Sequence, residues 1–181
     1  MEILLITLAA LVICTGLLIG ILLLMAGPKK GPKIKKYNDS RRALLVIDVQ
    51  EDFTGRTAKS PFPYKNSEEL ITSVSGAIKD ASGKGFVVVY IRQEFAGFAG
   101  KIISRLFGRG TAIIGNSATQ IDQRISILND NIFSKPKGDA FSNPELGKFL
   151  VEHQVDELFL TGFGFRILCV PYRQRCFEQR I

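Results

Sequence analysis

The chain has little of what builds covalent or metal frameworks: three cysteines and one histidine in 181 residues. Cys14 lies in an apolar N-terminal run, and Cys169 and Cys176 lie near the other end. That distribution holds neither a disulfide framework nor the ligand spacing of a zinc site. The body also lacks a charge of one sign. Net charge is +7, yet Ala43 to Phe163 carries 13 basic against 14 acidic residues, so the excess sits in the stretch before Ala43 and in the last eighteen residues. Nucleic-acid binding needs a cationic face on the folded part, so no nucleic-acid partner is expected.

Charge is missing altogether from Ile3 to Ala26, a run made mostly of Leu, Ile, Ala and Val. As a helix these residues rise roughly 36 Å, enough to cross a bilayer with some tilt. A cleaved signal peptide is the rival reading. Against it stand the acidic Glu2, the length of the run, and Gly27-Pro28-Lys29-Lys30 in place of a small-residue cleavage site. Residues 1–27 are therefore expected to be a transmembrane anchor. Residues 28–41 come next as a stiff basic tether, with Pro28, Pro32, Lys29, Lys30, Lys33, Lys35, Lys36 and Arg41. Basic flanks stay cytoplasmic and lie along anionic headgroups, so a single-pass protein with its main domain in the cytoplasm is expected. The domain occupies residues 42–181.

That domain is organised around Arg42 to Phe53, RALLVIDVQEDF. Five apolar residues, Ala43 to Ile47, predict a strand buried on both faces of a parallel sheet. Asp48 then stands at its C-terminal end, where ligands bind in open α/β sheets. Gln50 occupies the place where a haloacid-type phosphotransferase carries a second Asp, and no Gly-rich turn comes after the strand to cradle a dinucleotide. Asn66 with Glu69 predicts a capping box, with Leu70, Val74, Ala77, Ile78 and Ala81 at helical spacing. Phe86 to Ile91 is the second buried strand, and the three elements form one right-handed crossover. Arg92 to Gly110 mixes Phe95, Phe98, Ile102, Ile103, Leu106 and Phe107 with Arg and Lys. It reads as an ordinary amphipathic helix plus loop, the functional alternatives being a lid or a surface resting on the membrane. Asn131 to Ser134 is a short third strand, Asn143 and Pro144 cap a further helix with Leu146, Phe149 and Leu150 on its buried face, and Glu157 to Gly162 is the fourth strand. His153 sits near the polar end of that helix and reads as structural.

The pattern apolar-Asp48-x-Gln50-x-x-Phe53 resembles the first strand of the isochorismatase-like cysteine hydrolases. Lys135-Pro136-Lys137-Gly138-Asp139-Ala140-Phe141 is similar to that family's Lys-Pro-x-x-Ser-Ala-Phe signature, with Asp139 in the Ser position. Gly115 to Ile125 resembles its Gly-rich segment, with Ala118 and Gln120 replacing a commoner Gly and Glu. The resemblance covers about Ala43 to Gly162. It implies a three-layer α/β/α sandwich with a mainly parallel, Rossmann-like sheet. The implied chemistry is hydrolysis of a small amide through a thioester: Asp48 takes the thiol proton, Lys135 holds that carboxylate and polarises the site, and a cysteine attacks the carbonyl. Cys169 is the candidate nucleophile, expected at a helix start where backbone N–H groups stabilise thiolate and oxyanion. The metal site of nicotinamidases uses histidines after the first strand, and none precedes His153 here. No metal and no cofactor are expected. Expected partners are a small-molecule substrate and, through the N-terminal segment, membrane lipid, with a homo-oligomer left open.

Cys169 stands one residue further from Gly162 than the family spacing, and the residues after it do not read as a helix. The codons of Pro171 to Ile181, read one base later, permit Arg-Thr-Ala-Lys-Gly-Ala-Leu-Asn-Arg-Gly-Tyr, which resembles the helix after the family's nucleophile. Extended upstream, the same frame permits Tyr-Cys-Val-Tyr over Ile167 to Val170, with the cysteine at the codon of Leu168. A single-base insertion near the codons of Phe163 or Gly164 is therefore expected, with residues 164–181 out of frame. A fold ending here would lack its last helices and strands, and the exposed sheet edge predicts poor solubility. The alternative to an active hydrolase is a non-catalytic, membrane-tethered binding or scaffold protein on the same fold.

Overall fold

The computed structural model describes residues 7, 11–18, 20, 37–56, 58, 65–163 and 165–171, with residue 107 and the last stretch described by backbone alone. The expected anchor falls largely outside these residues, and among those described no helix is long and apolar enough to cross a membrane. Cys176 also lies outside them.

Strand β1 (Arg41–Ile47) is central because its side chains are apolar on both faces. Ala43, Leu45 and Ile47 pack on one side with Leu146 and Leu150, whereas Leu44 and Val46 pack on the other with Ile71, Val74 and Ile78. That alternation is the period-two geometry of a strand held between two helical layers. Helix α1 (Ser67–Gly83) supplies one layer. Its expected capping box does not form: Asn66 is the N-cap residue, but its side chain accepts no bond from the first turn.

The chain continues through β2 (Val87–Gln93), α2 (Gly97–Phe107) and β3 (Ile132–Lys135). Helix α3 (Pro144–Glu152) and β4 (Val155–Gly162) come after these. Asn143 caps α3 as its sequence predicts, its side chain accepting from Glu145 N–H at 3.0 Å. At the other end of α3, His153 stacks on Phe149 and bonds that residue's carbonyl, which is the structural role expected of it. Helix α3 forms the second layer, across the sheet from α1.

The sheet order is β3-β2-β1-β4-β5. The first four strands are parallel, and β5 (Phe165–Pro171) runs antiparallel against β4. The chain winds outward from β1 to β3, then returns past β1 to β4. Right-handed crossovers in opposite directions put α1 and α3 on opposite faces and leave a crevice beyond the end of β1. Gly162 closes β4 against that end. Its φ is +141°, and a Cβ there would overlap the Ile47 carbonyl oxygen, so no other residue fits.

The structure departs from the sequence reading after Gly162. The family spacing predicts a helix start there, but residues 165–171 form an edge strand that reverses direction.

Candidate active site

Asp48 leaves β1 in the left-handed backbone region, with φ of 56°. Asp tolerates that conformation better than most residues, and non-glycine residues held there concentrate at functional sites. Its N–H donates to the Ile91 carbonyl at 2.9 Å, which fixes the turn to the neighbouring strand. From the end of β3, two strands away, the long Lys135 side chain reaches across β2. Its Nζ lies 2.9 Å from Asp48 Oδ2 and donates to the Gly138 carbonyl at 2.9 Å. Lys135 is buried, whereas the Asp48 side chain keeps 16 % of its exposure. The two residues selected by the sequence motifs thus meet at the C-terminal edge of the sheet.

Gln50 explains why this geometry holds. Fully buried, it accepts the Gln93 N–H at 2.7 Å and donates through Nε2 to the carbonyls of Thr119 (2.9 Å) and Gln93 (3.2 Å). One amide thereby ties the loop after β1 to the end of β2 and to the turn at Ser117–Thr119. Gln93 Nε2 in turn donates to the Lys135 carbonyl at 3.0 Å, so the backbone carrying the lysine is fixed as well.

Sequence reasoning missed the polar cluster around Glu94. Its carboxylate accepts from Thr119 Oγ1 at 3.0 Å and from Ser134 Oγ, and Arg92 lies 3.7 Å away. Arg92 also donates to Gln120 Oε1 at 2.7 Å. The only signal was a run of polar residues, Arg92 to Glu94, directly after a buried strand. Phe163 was not selected either. It stacks on Phe53 with ring centroids 5.5 Å apart beside the end of β1, where Phe163 N–H donates to the Ile47 carbonyl at 2.9 Å.

Cys169 does not join this group. In the register it is paired with Phe159, and Phe159 with Leu44, so its backbone is level with a residue four positions before Asp48. That is about 13 Å along the strands and about 10 Å across two of them. Proton transfer to a carboxylate needs hydrogen-bond contact, which this separation prevents. Among the described residues no group of three His, Cys, Asp or Glu side chains is placed to hold a metal ion.

Comparison with known structures agrees with this architecture. An isochorismatase-like hydrolase from Alkaliphilus metalliredigens shares 22% identity over 71% of this chain and 68% of its own, with a TM-score of 0.55. For N-carbamoylsarcosine amidase from Thermoplasma acidophilum the figures are 19%, 67%, 67% and 0.56. For a nicotinamidase/pyrazinamidase from Bacillus subtilis they are 23%, 70%, 73% and 0.58. At such identities the likeness concerns the fold. No curated protein matches the sequence. The isochorismatase domain model, however, matches residues 42–170, a stretch that includes Asp48, Gln50 and Lys135. The chain therefore belongs to the isochorismatase family and is a hydrolase with an α/β parallel-sheet fold.

Proposed function

We propose that this protein is a membrane-tethered cysteine hydrolase that cleaves the C–N bond of a small amide. The observation that carries the reading is the ion pair of Asp48 and buried Lys135, 2.9 Å apart at the crevice edge. A carboxylate in this position takes a thiol proton, and the thiolate then attacks the amide carbonyl. The amine leaves with that proton, and water hydrolyses the thioester with the carboxylate acting again as base. Lys135 spends two of its three N–H donors on Asp48 and Gly138, so the third is left for a substrate oxygen.

The nucleophile in this reading is the cysteine at the codon of Leu168 in the shifted frame. The separation of Cys169 from Asp48 supports that assignment. Sequencing the gene across codons 158 to 185 tests it directly. One surplus base with an open shifted frame is the expected result. A gene without a surplus base removes the nucleophile from the proposal.

That same separation favours a second reading, a tethered binding or scaffold protein on the hydrolase fold. Thiol alkylation at neutral pH distinguishes the two. A hydrolase labels one cysteine fast, and Asp48→Asn slows that labelling. Uniformly slow labelling of every cysteine leaves the scaffold. The tether itself rests on the uncharged run Ile3 to Ala26 and the lysines behind it, which support a cytoplasmic domain.

A further inference from the structure

Helix α2 turns part of its apolar surface outward. Its inner face carries Gly100, Ile103 and Ser104. Ser104 is buried, with its hydroxyl donating to the Thr111 carbonyl at 2.5 Å, and a Cβ at Gly100 would lie 3.2 Å from the Phe95 backbone. Three of its large apolar residues point the other way. Phe98 is 82 % exposed, Leu106 71 % and Ile102 39 %. These residues recur every four positions, so they form one continuous stripe. Lys101 and Arg105 are exposed alongside it, and Arg109 is exposed just past the helix end. No acidic residue occurs between Glu94 and Asp122.

We propose that α2 is an interfacial helix, docking on the surface of an anionic phospholipid bilayer. An apolar stripe flanked only by cations fits such a surface, because the aromatic and aliphatic side chains enter the acyl boundary while the cations meet headgroup charge. A second copy of the chain would set the same cations against one another unless the patch met an acidic surface. The proposal rests on the membrane tether for its geometry. The tether enters at the N-terminal end of β1, and α2 comes after the C-terminal end of β2, so the two lie at opposite edges of the parallel sheet. Seven residues of β1 span about 23 Å. The stretch 28–40 before β1 can reach about 43 Å at about 3.3 Å per residue, enough to pass the height of the sheet and let the α2 edge turn towards the bilayer. Asp48 and Lys135 lie on that same edge. Docking therefore brings the mouth of the site to the membrane surface.

The chain contains no tryptophan, so a single introduced one is an unambiguous reporter. The full chain is prepared as Phe98→Trp and, as a control on a different exposed loop, as Leu128→Trp. Each is combined with phosphatidylcholine vesicles with and without phosphatidylserine, using brominated acyl chains as quencher. The expected result for Phe98→Trp is blue-shifted emission, quenched by the brominated lipid in serine-headgroup vesicles, with the emission of Leu128→Trp unchanged. Adding Lys101→Glu and Arg105→Glu shifts the docking equilibrium at least about thirtyfold towards the undocked form, at about fivefold per cation lost. Water-like, unquenched emission from Phe98→Trp chains that float with the vesicles overturns the proposal. A concentration-dependent blue shift without vesicles also overturns it, and assigns the stripe to a second copy. Retention after an alkaline, high-salt wash reads the anchor separately. A Phe98→Trp chain that washes off but was quenched beforehand loses the anchor and keeps the docking helix, whereas a retained chain with unquenched emission does the reverse.

Discussion

Two of the carboxylate–cation pairs at the C-terminal edge of this sheet differ in how they are finished. Asp122 is sealed, with a side chain 1 % exposed. It accepts from Thr54 Oγ1 at 2.7 Å and from Arg124 through Nε at 2.9 Å and Nη2 at 2.6 Å. Burial by itself would raise its carboxyl, but the hydrogen bonds from Arg124 and Thr54 outweigh burial and hold it below the ordinary carboxylate value. The same partnership raises Arg124 above its already high value. Asp48 instead faces a lysine, at the end of a crevice and in a left-handed turn, with part of its surface open. Arginine's fork suits the closed pair because it fixes two bonds at once, and the compact ammonium of lysine suits a site where a substrate atom must share the cation. The first pair holds the loop after β1 in place, and the second stands at the site.

The largest expected effect separates these roles by activity. On the proposed mechanism, Asp48→Asn keeps a residue that accepts the left-handed turn but removes the proposed base, so kcat/KM for amide hydrolysis by the protein in the proposed shifted frame should fall about 10²–10⁴-fold. Asp122→Ala is expected to leave the pH profile of the surviving enzyme unchanged. If both variants lose the same activity, the comparison fails.

Next in size is the stability effect, which should run the other way. Asp122→Ala removes the shared acceptor of Arg124 and of the Thr54 hydroxyl and leaves the guanidinium only Glu68 and the Thr54 carbonyl, at a cost of about 2–3 kcal/mol. For a domain of this size the melting temperature should drop roughly 5–10 °C, readable by circular dichroism.

The pH dependence sharpens the point. A carboxyl lowered in the folded state contributes stability that is complete above its unfolded value, near about 3.9, and that is lost as pH falls through the lower folded value. The difference in urea midpoint between the wild type and Asp122→Asn should therefore hold at about pH 6 and shrink in strong acid. A gap that widens on acidification would contradict the assignment.

How far these pairs could be read from the sequence depends on their spacing. Asp48 and Lys135 were legible because each ends a strand within a recognisable motif, the first of them buried on both faces, and sheet topology then brings them together. Strand and helix positions were legible for the same reason, since β1 is apolar on both faces and α1 on one. Asp122 and Glu94 were not, because a carboxylate two residues from an arginine is no signature, and their other partners Thr54, Thr119 and Ser134 lie far away in sequence. Helix α2 shows a subtler limit. Its periodicity predicts an amphipathic helix, but periodicity does not say which face turns inward, and here Gly100 and Ser104 take the inner side. The strand β5 was missed because the expectation there came from family spacing, whereas Phe165 to Pro171 is rich in the β-branched and aromatic residues that suit an edge strand.

The smallest effect tests whether the sealed pair is a network or a sum of contacts. Thr54→Val keeps the shape of the side chain and removes one hydroxyl that donates to Asp122 at 2.7 Å, with the Gln50 carbonyl a longer 3.1 Å away. Loss of one hydrogen bond to a charged group in a buried site is expected to cost about 1–2 kcal/mol. In Asp122→Ala the same change should cost less, because the hydroxyl has already lost its charged acceptor. A double-mutant cycle by urea denaturation then gives a coupling of about 0.5–1 kcal/mol or more between positions 54 and 122. Additive costs would mean that Thr54 is held by its own turn and that Arg124 alone lowers the carboxyl. In that case the closed pair would be as simple a contact as the open one, and what distinguishes Asp48 would be its access to the crevice alone.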